Sequence, residues 1–458
     1  MTLERLIRRI MRKGQIPGVC IVVVRPDQED LILGFGYADK HKKTPVTPDT
    51  LFELASCSKA YTALAVLQLA EQKSIGLDDP VCTYLPGFYG RFLESQRTDI
   101  TIRHLLHHTS GIPWQAISLV RPDAGKEALE KAARRLVGVE LHSIPGKRFD
   151  YATVNYTILG AIVEKVTGIG FEDYMRENVL APLGLHDTRV GVEDGLPLLT
   201  SGYKPGLFFP GRFRGPVFRG LNPSGYVISS GDDVCRWLKL QMGMIETPLF
   251  ALIEKSQQPG RIPIYSQRLS YAYGMGWMIP QHRDEVNHTG LNPGFSSYIG
   301  FRPQARIGVA VLANSSSQYT LVLAEYVMAM FSGQRGRIIY FTPFFFNRYS
   351  TVAVFLLSLY LVWLVDKMLA LGLAIDRGVR SFLPLSDERL GWLVMGGSML
   401  FWVLLGIYII PQKTMKLTWR MIKVWASRAL PVAVWLFVAA LVMTFGFFVL
   451  WLLFPILT

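Results

Sequence analysis

The sequence predicts an α+β fold, an antiparallel sheet flanked by helices, followed by three transmembrane helices. Two observations carry that prediction. Short β-branched runs punctuated by Gly and Pro lie near both ends of the first 335 residues. Three long apolar runs, at about 349–366, 391–410 and 430–454, dominate the remainder. Composition agrees: half of the 458 residues are apolar and only 18% are charged, a balance that favours membrane insertion for part of the chain. The expected domains are a globular unit, 1–335, and a membrane unit, 336–458.

Taken in order, residues 3–13 read as a helix and Gly18–Val24 as a strand, with Gly14 and Pro17 as punctuation, and Leu31–Gly36 as a second strand paired with the first. The stretch Phe52–Leu69, FELASCSKAYTALAVLQL, carries a helix with Ser56 at its start, and Ala63, Val66, Leu67 and Ala70 recur at helical spacing and would anchor it in a core. Ile100–Leu106 carries helical spacing and exits through His107-His108-Thr109-Ser110-Gly111-Ile112-Pro113. Pro145-Gly146 sets a turn, Tyr151 lies on the loop after it, and a helix follows that ends at Gly168. Residues 195–225, rich in Gly, Pro, Phe and Arg, read as a surface excursion of the kind that shapes a substrate pocket. Ser230–Met242 returns to helix. Tyr273–Trp277 then starts a strand, and runs through Asn287–Phe295, Ser297–Phe301 and Ile307–Leu312 make an antiparallel meander closed by a helix at about 319–331. Phe341–Phe346 is an aromatic cluster suited to a membrane interface.

Charge and cysteine usage exclude several function classes. The net charge is +13, and from Arg335 onward 12 Lys plus Arg stand against 4 Asp plus Glu, as expected for basic residues flanking membrane spans. No basic stripe interleaved with aromatics marks the first unit, so no nucleic-acid partner is expected. Cys20, Cys57, Cys82 and Cys235 have neither metal nor disulfide spacing, and no acidic residue or cysteine completes a ligand set with His104, His107 and His108. No metal or cofactor is expected. Cys57 points about a hundred degrees from Ser56 on a helix and reads as a small buried apolar residue. The start, MTLERLIRRIMRKGQ, is basic and amphipathic without an uninterrupted apolar run, so no cleavable signal peptide is expected there.

The chemistry-bearing stretch is Ser56-Cys57-Ser58-Lys59. A serine and a lysine three apart on a helix share a face, with Cβ atoms roughly 5–6 Å apart, so the amine can take the hydroxyl proton. Taken alone, the pattern is short enough to arise by chance, with Ser56 as a cap and Lys59 solvated. Its companions make it specific. Ser56-x-x-Lys59, a loop Tyr151 before a helix, and His288-Thr289-Gly290 on a late strand occur in the order seen in serine β-lactamases and penicillin-binding proteins, and the sequence resembles the class C-like branch of that family. HLLHHTSGIP, Pro145-Gly146-x-x-Phe149-x-Tyr151, NYTILG, YGMGW and HTGLNPGF extend the resemblance over about residues 1–335.

The resemblance implies a β-lactamase/transpeptidase-like fold with an all-helical domain beside the sheet. It also implies Ser56 as nucleophile, Lys59 as its proton acceptor and Tyr151 as the group that delivers a proton to the leaving amine. The backbone N–H groups of Ser56 and Leu291 would form the oxyanion hole, each worth about 3 kcal/mol when well placed. His288, Thr289 and Gly290 would line the opposite wall, and a Lys59 cation would have to lower the Tyr151 pKa for base duty. Tyr151-Ala152-Thr153, Asn292-Pro293 and the three terminal spans look most like the colibactin-maturation group of prodrug-activating peptidases, which remove an N-acyl-D-asparagine cap from natural-product precursors. Thr153 and Asn292 inherit the role of holding the D-asparagine, although a histidine that the group uses near its pocket falls on Leu221 here.

The expected partners are a small-molecule or peptide substrate with a D-amino acid, the lipid bilayer and, if the spans do more than anchor, an exporter. Two alternatives stay open: a penicillin-binding-type D-alanyl carboxypeptidase or esterase acting on cell-wall material, and a membrane-bound sensor of acyl-D-amino acids without turnover. Topology is contested by charge. The side shared by the globular unit and the 411–429 loop carries Arg335, Arg337, Arg348, Lys413, Lys416, Arg420, Lys423 and Arg428, against Lys367, Arg377, Arg380 and Arg389 opposite. That bias points to a cytoplasmic globular unit, whereas the resemblance points to the outer face of a multi-pass cell-membrane protein; the outer face is the expectation.

Overall fold

The computed structural model describes residues 2–93, 96–191, 198–266, 269–281, 284–333, 346–415 and 418–456. The chain forms two compact units, Met1–Pro205 with Pro210–Phe341, and Gly206–Phe209 with Thr342–Thr458. The predicted boundary at 335/336 and most of the aromatic cluster Phe341–Phe346 lie outside the described residues, as do Arg335 and Arg337.

The first unit is built on a nine-stranded sheet ordered Pro263–Ser266, Leu269–Tyr273, Met278–Pro280, Val286–Asn292, Phe295–Arg302, Ile307–Ala313, Gly18–Val24, Leu31–Asp39, Thr44–Pro45. Every neighbouring pair is antiparallel. Gly18–Val24 sits inside it, with Val19 opposite Ala313 on one side and Phe35 on the other. Helices cover both of its faces, so all seven residues are buried and the strand reads as a continuous apolar run. Val19, Ile21 and Val23 face the helices Leu3–Gly14 and Tyr319–Ser332, packing with Ile7, Ile10, Val309, Val311, Leu323 and Val327. Cys20 faces the helix Gly231–Gln241, so closely that a Cβ on Gly231 would stand 2.6 Å from its Sγ.

The predicted strand 18–24 and the helices 3–13, 230–242 and 319–331 match within a residue or two at their ends. Ser230 caps Gly231–Gln241 by accepting from the Asp233 N–H, and Gly168 closes Val154–Thr167 in the left-handed conformation, φ 74°. The helix predicted over Ile100–Leu106 is shorter, Ile102–Leu106, because Thr101 and His104 form a capping box that starts it.

Two predicted elements differ. The α-helix expected from Ser56 does not start there: Ala55–Cys57 is a 3₁₀ turn and the α-helix is Ser58–Glu71, with Phe52–Glu53 before them a strand paired with Val227–Ser229. Ala55 has φ 47°, a left-handed conformation that no helix tolerates, and this separates strand from turn. Tyr273–Trp277 does not start a strand either. It joins Leu269–Tyr273 to Met278–Pro280, closed by the Gly274 N–H on the Trp277 carbonyl. Gly276 lies in this turn at φ 89°, where a Cβ would stand 2.5 Å from Ala60 Cα on the Ser58–Glu71 helix. Gly276→Ala is therefore expected to cost about 2–4 kcal/mol, read as a lowered unfolding midpoint, and an unchanged midpoint would show that the sheet and helix are not locked together here.

Among the described residues, the second unit contains three helices long and apolar enough to cross a membrane, Tyr349–Asp376, Asp387–Thr414 and Ala429–Leu453. The first extends well past the predicted end at 366. Asp366 and Lys367 do not stop it, because both are exposed and pair with each other at 3.1 Å while the helix formers Met368–Ala374 carry the turn onward. Tyr360 and Thr444 share a hydrogen bond of 2.7 Å between the first and third helices.

Candidate active site

The turn that carries Ser56 is held from three sides. Leu54 donates its N–H to the Val227 carbonyl at 2.8 Å, and its own carbonyl accepts the Ser297 hydroxyl at 2.6 Å. Gly290 of the strand Val286–Asn292 passes so near that a Cβ there would stand 2.4 Å from the Leu54 carbonyl and 3.0 Å from Ala55 Cβ. These contacts hold the left-handed Ala55, a strained backbone of the kind found at reactive turns. Ser56 sits in the 3₁₀ turn and Lys59 in the first turn of the α-helix that continues it, three residues on and so on the same side. Lys59 Nζ lies 3.0 Å from Ser56 Oγ.

Lys59 is wholly buried and has a second partner, the Ser224 carbonyl, to which Nζ donates at 2.8 Å. That carbonyl is itself fixed: the neighbouring Pro223 carbonyl accepts the Thr62 hydroxyl at 2.6 Å, and Pro223 packs where a Cβ on Gly160 would collide at 2.2 Å. Burial disfavours the ammonium and brings the Lys59 pKa down to about 7. The amine is thus available as a base near neutral pH.

Tyr151 completes the group. Lys59 Nζ lies 5.1 Å from the centre of its ring. Burial raises the phenol pKa, only partly offset by a hydrogen bond with Ser56. This corrects the expectation that a Lys59 cation lowers it. Lys59 is itself biased toward the neutral amine, so no fixed positive charge stands there to favour a phenolate, and Tyr151 keeps its proton.

The strand Val286–Asn292 forms the facing wall, and the 3₁₀ turn packs directly on it, bringing Leu291 and Ser56 onto adjacent elements as an oxyanion hole requires. Thr289 and Leu291 are half-buried, as is Thr153 at the start of its helix. His288 differs from its expected place. Only 2% of its surface is exposed. A carbonyl only accepts, so the 2.7 Å contact with the Thr289 carbonyl puts the proton on Nδ1, and Nε2 takes the Tyr273 hydroxyl at 3.0 Å. Burial, then the neighbouring Lys59 charge, pull its pKa down to about 3. His288 is a neutral residue behind the wall rather than a group presented to substrate.

Asn292 is also buried, with Nδ2 donating to Glu53 Oε2 at 2.8 Å and to the Gly225 carbonyl at 2.7 Å. Sequence reading missed Glu53. Burial raises its pKa to about 7, with the Asn292 hydrogen bond opposing. An acidic residue between Phe52 and Leu54 was the available signal, because a carboxyl in so apolar a run needs a partner. The Ser224 carbonyl carried no such signal. Among the described residues no group of three or more His, Cys, Asp or Glu is placed to hold a metal ion.

A family model described as Beta-lactamase matches residues 3–328. The chain belongs to the β-lactamase family. It is 31% identical over 358 residues to "Protein flp" of Staphylococcus aureus (strain COL), covering 77% of this chain and 68% of that protein. The octameric penicillin-binding protein homologue from Pyrococcus abyssi superposes with a TM-score of 0.62 at 28% identity, over 73% of this chain and 77% of that one. A class C beta-lactamase shares the fold, with a TM-score of 0.60 at 21% identity over 73% of this chain and 96% of that one. The first unit is thus a serine hydrolase of the β-lactamase family, and the chain joins it to helices able to span a membrane.

Proposed function

We propose that this β-lactamase-family chain is a membrane-anchored serine peptidase or amidohydrolase that works through an acyl-enzyme and removes an N-acyl-D-amino-acid cap, D-asparagine foremost, from a natural-product precursor. The observation that carries the chemistry is Ser56 Oγ at 3.0 Å from a buried lysine whose pKa is about 7. As Oγ attacks the amide carbonyl its proton passes to Lys59, and the developing oxyanion meets the Ser56 and Leu291 N–H groups. Tyr151 gives its proton to the leaving amine and is reprotonated from Lys59. Water then attacks the ester, its proton going to Lys59, and Ser56 leaves as the alcohol.

Support for the D-asparagine cap comes from Thr153, whose partly exposed position beside Tyr151 suits it to hold a polar substrate, and from Asn292 backed by Glu53. The name of the Pyrococcus abyssi relative favours a second reading, a D-alanyl carboxypeptidase on cell-wall peptides. Turnover of an N-acyl-D-asparagine amide is expected to exceed that of a D-Ala-D-Ala peptide by about 10-fold or more in kcat/KM, with one acyl mass trapped on Ser56; the reverse preference selects the second reading. Three helices long and apolar enough to cross a membrane support anchoring in the cell membrane; the reading puts the catalytic unit on the outer face, and protease protection in intact cells tests that side.

A further inference from the structure

We propose that His108 is the positioning residue for Tyr151, holding the phenol over Ser56 by bracketing its backbone while staying locked as a neutral Nε2–H imidazole. The proposal rests on the reading of Tyr151 as proton donor to the leaving group.

The bracket is built from both ends of one residue. The His108 carbonyl accepts the Asp150 N–H at 2.8 Å, and its ring Nδ1 accepts the Ala152 N–H at 3.3 Å. These N–H groups belong to the residues immediately before and after Tyr151. A φ of 54° at His108 turns carbonyl and ring toward the same loop. The ring then lies against the phenol, with centres 4.3 Å apart.

The tautomer follows from a chain of donors that begins at a backbone N–H, whose role admits no choice. That N–H is Ala152's, which can only donate and so leaves Nδ1 a lone pair; in agreement, the Ile112 N–H donates to Ser110 Oγ at 3.2 Å and the Ser110 hydroxyl donates to Asn155 Oδ1 at 2.9 Å. Asn155 is thereby oriented with its Nδ2 toward His108 Nδ1, 3.0 Å away. With two N–H donors aimed at it, Nδ1 holds a lone pair and the proton sits on Nε2. Nε2 is buried with no hydrogen-bond partner among the described residues, and the imidazole packs among the rings of Tyr151, Tyr156 and Tyr273, ring centres 4.3, 5.4 and 4.7 Å away. Burial foremost, and then the repulsion it would meet from Lys59, His288 or His107 whenever one of them is protonated, hold its pKa well below that of a free imidazole, so the ring stays uncharged while Lys59 titrates beside it.

A residue that acts through Tyr151 must matter most where the leaving group needs a proton. The full-length protein in detergent or nanodiscs is assayed on one acyl group carried as a p-nitrophenyl ester and as an unactivated alkyl amide, with Tyr151→Phe as reference. His108→Gln, which moves the polar end away from the Nδ1 position, is expected to lower kcat on the amide about 10–100-fold and on the ester less than about 3-fold. His108→Asn, which tolerates positive φ and puts a carbonyl near the Nδ1 position, is expected to restore most of the amide rate. Should His108→Gln fail to fold, Ser110→Ala keeps His108 and frees Asn155 to turn, and the same split is expected in weaker form. Parallel losses on ester and amide at these positions, beside an intact split in Tyr151→Phe, overturn the proposal alone. A Tyr151→Phe enzyme that spares both substrates overturns the reading of Tyr151 and the proposal together.

Discussion

Ser56→Ala is expected to abolish turnover, lowering kcat by about 10⁴-fold or more, while leaving the unfolding transition where it is. The size follows from the division of labour at the site. Without Oγ there is no ester intermediate, and Lys59 and Tyr151 have no group to pass protons to or from, so their contributions vanish together. The fold is spared because the turn is held by backbone and neighbour contacts, the Leu54 N–H on Val227 and the Ser297 hydroxyl on Leu54, none of which uses the Ser56 side chain. Hydrolysis of an acyl substrate by the alanine variant at a rate near that of the native chain would remove Ser56 from the mechanism.

The second large effect is expected at Lys59. Lys59→Met keeps the length and apolar stem of the side chain but removes the base, and labelling by a fluorophosphonate or β-lactam probe should fall about 10²–10⁴-fold. The native enzyme supplies the matching signature. The reactive form is the neutral amine, which burial favours by bringing the pKa to about 7, so acylation should rise as pH increases through 7 and level off above it. The rising limb belongs to Lys59, and Glu53, also near 7, titrates behind Asn292 without touching Ser56 Oγ. Undiminished labelling of Lys59→Met, or a native profile flat from pH 6 to 8, would place the base elsewhere.

The candidate trio is legible because each member advertises itself over a short stretch. Ser56 and Lys59 sit three apart, a spacing that keeps them on one side across the 3₁₀ turn and the α-helix that follows it, and Tyr151 is announced by Pro145-Gly146 before it and a helix after it. What escaped depends on pairings between distant residues. That Phe52–Glu53 is a strand shows only through its partner, Val227–Ser229, about 175 residues away. The Ser224 carbonyl that steadies Lys59 is 165 residues from it and is a backbone atom, which no side-chain pattern encodes. His288 was placed on the correct strand, but the hydroxyl of Tyr273 that turns it inward belongs to another strand of the sheet. The hinge of the fold at Gly276 was visible as YGMGW, yet its role as a turn pressed on Ala60 needed the helix to be in place.

The sheet has a bearing on how the protein is made. Gly18–Val24 takes its inner neighbour from Ile307–Ala313, nearly three hundred residues later. Ribosomal synthesis therefore leaves a seven-residue, wholly apolar edge without its mate until the globular unit is almost complete, and the apolar membrane helices begin to emerge soon afterwards. Final closure of the hydrolase and emergence of the span-capable helices thus fall within the same short window of translation, and a nascent chain that stalls before Ile307 carries an apolar strand with one edge unpaired.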